Sequence, residues 1–168
     1  MTNDEYFPTV VGQERAKRKL SYFLDNWKSS GVLPNTMFVA PRGCGKTMLA
    51  TLLAKTMKGI QPIKAGRVVN CASIKNLNQF INGTIIPYIH NKDCTLLLDE
   101  ASELPRDVEM ALLTILNPNP ENRNTFSYED YTIDFDFTRQ TFLLATTEAH
   151  KMFHALIDRC DRIDLEEY

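Results

Sequence analysis

No stretch of this 168-residue chain approaches the roughly 20 consecutive apolar residues that a membrane helix requires, so no spanning segment is expected. The opening residues, Met1-Thr2-Asn3-Asp4-Glu5, are polar and acidic, and lack the basic start and apolar stretch of a secretory signal. A basic excess is missing too: 19 Lys and Arg stand against 21 Asp and Glu, for a net charge of -2. Contact with nucleic acid would therefore need a local patch or a region outside this chain. The four cysteines, Cys44, Cys71, Cys94 and Cys160, contain no C-x-x-C pair. Without an export signal they are expected to be reduced thiols in a cytoplasmic protein. There are no internal repeats and no low-complexity segments. What remains is an ordinary globular composition, 43% hydrophobic and 24% charged, which fills one α/β core but not two.

Apolar residues Ala16, Leu20, Phe23, Leu24 and Trp27 recur at helical spacing, which predicts an amphipathic helix over Gln13–Lys28, ended by Gly31 and Pro34. Its opposite side carries Arg15, Arg18 and Lys19, read as a solvated face. Thr36–Ala40 reads as a buried strand, and helical spacing resumes at Leu49, Leu52 and Leu53. Arg67–Cys71 is a second strand. Leu77, Phe80, Ile81 and Ile85 predict a helix that stops near Pro87. Thr95–Leu98 is a third strand, and Pro105 opens a helix carrying Val108, Ala111, Leu112 and Ile115. Asn117-Pro118-Asn119-Pro120 must break that helix. Tyr131, Ile133, Phe135 and Phe137 then alternate with polar residues as a half-buried strand, with Phe126 and Tyr128 on the other arm of a hairpin. Thr141–Ala145 is a fourth core strand and Arg162–Leu165 a fifth. Buried strands alternating with helices predict an α/β fold with a parallel sheet sandwiched by helices.

The sharpest chemical signal is Ala40-Pro41-Arg42-Gly43-Cys44-Gly45-Lys46-Thr47, continued by Met48, between a predicted strand and a predicted helix. Gly43 and Gly45 carry no side chain to clash, so the backbone N–H groups there can turn inward around an anion. The helix beginning near Lys46 points its positive end at the same place. Lys46 is placed to reach the β- and γ-phosphates of a nucleotide, and the Thr47 hydroxyl to bind Mg²⁺. Ala40 stands where the pattern usually has its first glycine, at the strand's end. Cys44, inside this loop, is expected to react with thiol reagents.

A second signal is Leu96-Leu97-Leu98-Asp99-Glu100. An apolar strand carries two carboxylates to its C-terminal end, where an open α/β sheet binds its ligand. Two acids after an apolar strand are by themselves a common helix start. Beside a phosphate loop they gain roles: Asp99 at the Mg²⁺, and Glu100 orienting and deprotonating the attacking water.

In these motifs and their order the chain resembles the AAA+ ATPase core, a P-loop NTPase fold with a β-hairpin insertion before the sensor-1 strand. It most resembles the RuvB family, the Holliday-junction branch-migration motors. Val10-Val11-Gly12-Gln13-Glu14 resembles the family's N-terminal segment, which implies that Val10 and Val11 line the adenine pocket. Leu97–Ala101 resembles its acidic motif, and Tyr131–Phe137 the hairpin before its sensor strand. The likeness runs from about Tyr6 to Leu165. It implies ATP and Mg²⁺ as ligands, with Lys46, Glu100, Thr147 and Arg159 catalytic. Ala145-Thr146-Thr147 resembles the sensor-1 motif, with Thr147 as the sensor and Thr146 as the alternative. Leu156-Ile157-Asp158-Arg159 resembles the arginine-finger segment, so Arg159 is expected to serve the ATP of a neighbouring subunit in a homo-oligomeric ring, with Arg162 as a rival. The resemblance also implies DNA as a partner, through regions mostly outside this chain, and a partner protein at the hairpin, residues 126–137.

The chain departs from the family at Glu148 and Ile157, where arginines are usual. Residues 1–168 are expected to form the large nucleotide-binding subdomain, with the lid and winged-helix regions absent, as a piece of a longer protein or a reduced form. Two other functions fit the residues. One is a clamp-loader-like ATPase, since Asp158-Arg159-Cys160 resembles the S-R-C segment of those proteins. The other is a nucleotide-gated binding module without efficient turnover.

Overall fold

The computed structural model describes residues 3–167, with the side chains of residues 3 and 4 left aside. A short helix α1 (Asn3–Tyr6) leads into α2 (Glu14–Ser30). The α2 face carrying Ala16, Leu20, Phe23, Leu24 and Trp27 is buried, as the spacing requires. Gly31 ends the helix in the left-handed region (φ 82°), and its N–H donates to the Trp27 carbonyl. A Cβ makes that conformation costly. There follow β1 (Thr36–Val39), α3 (Lys46–Ile60), β2 (Ala65–Asn70), α4 (Leu77–Phe80), β3 (Cys94–Asp99), α5 (Arg106–Ile115), β4 (Arg123–Tyr128), β5 (Tyr131–Asp136), β6 (Gln140–Thr146), α6 (His154–Ile157) and β7 (Asp161–Asp164).

Five strands form one parallel sheet in the order β2-β3-β6-β1-β7, and β4 and β5 form a separate antiparallel hairpin. The sheet is covered on both faces, which is why its central strands are continuously apolar. Against α2 and α3 lie Phe38, Leu97, Leu143 and Ala145. Against α5 and its neighbours lie Met37, Leu96, Leu98, Phe142 and Leu144. Successive residues of one strand thus feed opposite cores. The register pairs Val39 with Thr146 and Asp99 with Ala145. The ends of β1, β3 and β6 are therefore level, and whatever follows them shares one edge.

Two expectations are corrected. The helix predicted to stop near Pro87 continues as a wide π-helical segment over Ile81–Ile89. Its last bond spans five residues, from the His90 N–H to the Ile85 carbonyl at 2.8 Å. In a normal helix Pro87 lacks its N–H and crowds the carbonyl four residues back; the wider register shifts that carbonyl away. The hairpin's apolar face was expected to meet a partner protein. Instead Ile133, Phe135 and Phe137 are buried in the domain's own core, and the Phe135 and Phe137 rings lie 6.0 and 6.2 Å from that of Phe142. Only Tyr131 of that set is exposed, at 49%. The hairpin closes the core beside α5, and Asn124 Nδ2 ties it there by donating to the carbonyls of Ile115 and Asn117. Among the described residues no helix is long and apolar enough to cross a membrane.

Candidate nucleotide site

The loop from Ala40 to Thr47 leaves β1 and enters α3 as the sequence implies. Ala40 is buried, and its N–H donates to the Thr146 carbonyl at 3.3 Å, which holds the start of the loop to β6. Gly43 and Gly45 both adopt the left-handed conformation, with φ of 83° and 82°. A side chain at Gly45 would be strained by that backbone conformation, although the space beside it would accept the added carbon. Cys44 points the other way. Its side chain is 6% exposed in the core beneath α2 and α3, so the expectation of a reactive thiol is overturned by its burial. Cys71 is fully buried below the site. Burial raises its thiol pKa, and the nearby charges of Asp99 and Glu100 raise it further.

Asp99 ends β3, and its Oδ1 accepts two hydrogen bonds, from the Thr47 hydroxyl at 3.1 Å and from the Glu100 N–H at 3.0 Å. Two hard oxygen donors thus meet at the start of α3, a donor set that suits Mg²⁺. Glu100 is left-handed (φ 55°, ψ 50°), a conformation that costs a non-glycine residue roughly 1–3 kcal/mol. The turn it makes sends its side chain to the wall of a cavity of about 350 Å³, lined by Arg42, Lys46, Glu100, Ser102, Glu103, Thr147 and Glu148.

Of the two threonines at the end of β6, Thr146 is fully buried, and its hydroxyl accepts a hydrogen bond from the Glu148 N–H at 3.0 Å. It shapes the turn, while Thr147 is exposed on the cavity. Glu148 forms a 2.6 Å ion pair with Lys151. That bond, with the charges of Lys151, His150 and Arg42, holds its carboxyl below the usual range. Ser102 and Glu103 were missed in the sequence; their closeness to the Asp99–Glu100 pair was the available signal.

The N-terminal segment divides. Of the two valines that the family resemblance assigns to the adenine pocket, Val11 is 80% exposed, whereas Val10 is 5% exposed and packs its side chain into the core. The Val10 carbonyl accepts from the buried Lys17 ammonium at 3.1 Å. The Gln13 side chain grips the far end of the chain, donating to the Glu166 carbonyl and accepting from its N–H.

Arg159 is not brought to this site. It precedes β7, whose first residue Asp161 pairs with Thr36 at the start of β1, while the phosphate loop follows Val39 at that strand's other end. Its guanidinium donates to the carbonyls of Leu113 (2.8 Å) and Ala155 (2.9 Å), and it lines a separate cavity of about 290 Å³ with Asn35, Asn117 and Asp158. Arg162 is paired with Asp164 at 3.0 Å.

A phosphate loop, an acidic strand end and a polar turn on the level edge of a parallel sheet define a P-loop nucleotide-binding protein. The chain belongs to the ATPase family associated with various cellular activities (AAA), whose model matches residues 36–168. It is 29% identical over 163 residues to the Holliday junction branch migration complex subunit RuvB of Clostridium kluyveri, covering 89% of this chain and 41% of that protein. It is 27% identical over 183 residues to a peroxisomal Lon protease homolog 2 of Pongo abelii, covering all of this chain and 20% of that protein. Its fold matches a mutant RuvB of Thermotoga maritima with a TM-score of 0.71 at 25% identity, over 99% of this chain and 48% of that one. The chain thus spans less than half the length of each of these relatives.

Proposed function

We propose that this chain is the ATP-hydrolysing core of a motor acting on DNA, of the RuvB kind. The observation that carries the reading is the meeting of Lys46, the Thr47–Asp99 pair, Glu100 and Thr147 around one sheet edge. In it ATP lies along the phosphate loop with its base near Val11. Thr47 and Asp99 would hold Mg²⁺, which supplies positive charge to the phosphates when bound. Lys46 neutralises the β- and γ-phosphate oxygens. Glu100 takes a proton from a water molecule whose oxygen bonds to the γ-phosphorus. The bond from that phosphorus to the β–γ bridging oxygen breaks, and ADP leaves with the electron pair. Thr147 holds the water. Arg159, at the far end of its own sheet, serves a neighbouring subunit's ATP in a ring. Residues 1–168 form the large subdomain of a longer cytoplasmic protein whose remaining regions supply the lid and the DNA contacts.

The first experiment is calorimetric titration of ATP with Mg²⁺ into the wild-type chain and Lys46→Ala. Binding is expected in the first and a large loss in the second; equal affinities overturn the reading. A second reading, the motor module of a protease, is favoured by the match to Lon across the whole chain. ATPase stimulation separates the two in the complete protein: branched DNA stimulates a RuvB-like motor, and an unfolded protein such as casein stimulates a protease motor.

A further inference from the structure

One guanidinium already sits in the nucleotide cavity. Arg42 lies in the phosphate loop between Pro41 and the left-handed Gly43, and shares the cavity wall with Lys46, Glu100 and Thr147. Those are the residues that face the end of a bound triphosphate in the reading above. Arg42 is exposed, and among the described residues it has no hydrogen bond and no ion pair. Arg159 differs on both counts, because its guanidinium is fastened to two carbonyls at the other end of the sheet. The remaining charges of the wall are Lys46 against Glu100, Glu103 and Glu148. A triphosphate entering it would meet three carboxylates and one cation if Arg42 were absent. Glu148, the acid after the sensor turn, is held by Lys151 at 2.6 Å, which leaves Arg42 unclaimed.

We propose that Arg42 is a catalytic residue acting in cis, its guanidinium binding the γ-phosphate oxygens of ATP held by the same chain. This rests on the nucleotide site proposed above. As the water oxygen bonds to the γ-phosphorus and the bridging bond breaks, negative charge gathers on the equatorial γ-oxygens and the leaving β-phosphate oxygen. A planar fork of N–H donors fixed to the loop meets that charge without waiting for a neighbouring subunit. The chain thereby carries two arginine devices: a loop arginine available to every subunit, and Arg159 available only to a neighbour.

The test compares two ligands on the full chain, ADP–Mg²⁺ and ADP–Mg²⁺ with aluminium fluoride, which stands in for the phosphoryl group in transfer. Wild type, Arg42→Ala and Arg42→Lys are titrated with each. Arg42→Ala is expected to keep its ADP affinity within about threefold while losing roughly 10²-fold for the aluminium fluoride complex, the scale of one lost transition-state donor. Arg42→Lys, which keeps the charge without the fork, falls between. In turnover, kcat drops with KM little changed. If Arg42→Ala preserves the wild-type ratio of the two affinities, the cis role is wrong and the nucleotide site stands. If wild type binds neither ligand, the nucleotide reading falls and the cis role with it.

Discussion

Thr47 on the first turn of α3 and Asp99 at the end of β3 stand 52 residues apart in sequence and meet in a hydrogen bond of 3.1 Å. The contact exists because β1 and β3 both pair with β6 and end at the same level. It brings two oxygen donors of the kind Mg²⁺ prefers to the positive end of a 15-residue helix. Asp99→Asn keeps the shape and removes the charge. It is expected to weaken nucleotide binding in Mg²⁺ by about 10–100-fold, a scale seen even for outer-shell partners of metals. Titrations in excess EDTA should show wild type and variant alike.

Glu100→Gln tests the base. The amide fills the same space on the cavity wall but accepts no proton, so nucleotide affinity should persist while turnover falls by about 10²–10⁴-fold. Single-turnover phosphate release in the assembled protein measures this, and a loss of only a few-fold would reassign the base.

Arg159 is examined by mixing. An Arg159→Ala subunit with an intact nucleotide site is combined with a Lys46→Ala subunit that keeps its arginine, in rings of the complete protein. The mixture should regain activity that neither variant has alone, against a loss of roughly 10³–10⁵ for a missing finger. Thermal melts are needed beside it, because Arg159 also donates to the carbonyls of Leu113 and Ala155. Mixed rings that recover nothing at any ratio would leave Arg159 that structural role.

The hairpin's two kinds of aromatic residue should separate cleanly. Phe135→Ala opens a void beside Phe142 and should cost about 3–5 kcal/mol in urea unfolding. Tyr131→Ala, at an exposed position, should stay within about 0.5 kcal/mol.

Lys64 gives a pH signature. Burial lowers its pKa to about 8, although the nearby Cys94 and Asp93 charges oppose this, and its ammonium donates to the Arg139 carbonyl. From about pH 8 up to its ordinary value of 10.5, the unfolded chain holds more of this proton than the folded one. Stability from this group therefore rises with pH across that window, and below it the cost of the buried charge is present in full. Comparison with Lys64→Met isolates the effect: the variant's stability relative to wild type should decline as pH climbs through the window. A difference that does not change with pH would show that Lys64 titrates normally.

Local chemistry alone determined the phosphate loop, the acidic pair and the strands. Gly43 and Gly45 are the residues that tolerate a left-handed backbone, Lys46-Thr47 opens a helix, and runs such as Leu96-Leu97-Leu98 can be satisfied only with both faces covered. Each of these signals lies within a few neighbouring residues, so it is legible without knowing what packs on what. Direction was decided by the tertiary structure. An alternating strand has an apolar face, but whether that face meets a partner or Phe142 depends on a gap beside α5 that only the folded chain defines. The same holds for the side chains of Val10 and Cys44, which turn into the core next to Val11 and Gly43. It holds as well for Thr146 and Thr147, chemically identical neighbours that the end of β6 sends to opposite sides, one into the protein and one to the cavity. Arg159 is the plainest case: its distance from its own phosphate loop is the length of β1, set by the pairing of that strand with β7, which lies 125 positions further along the chain (Thr36 opposite Asp161).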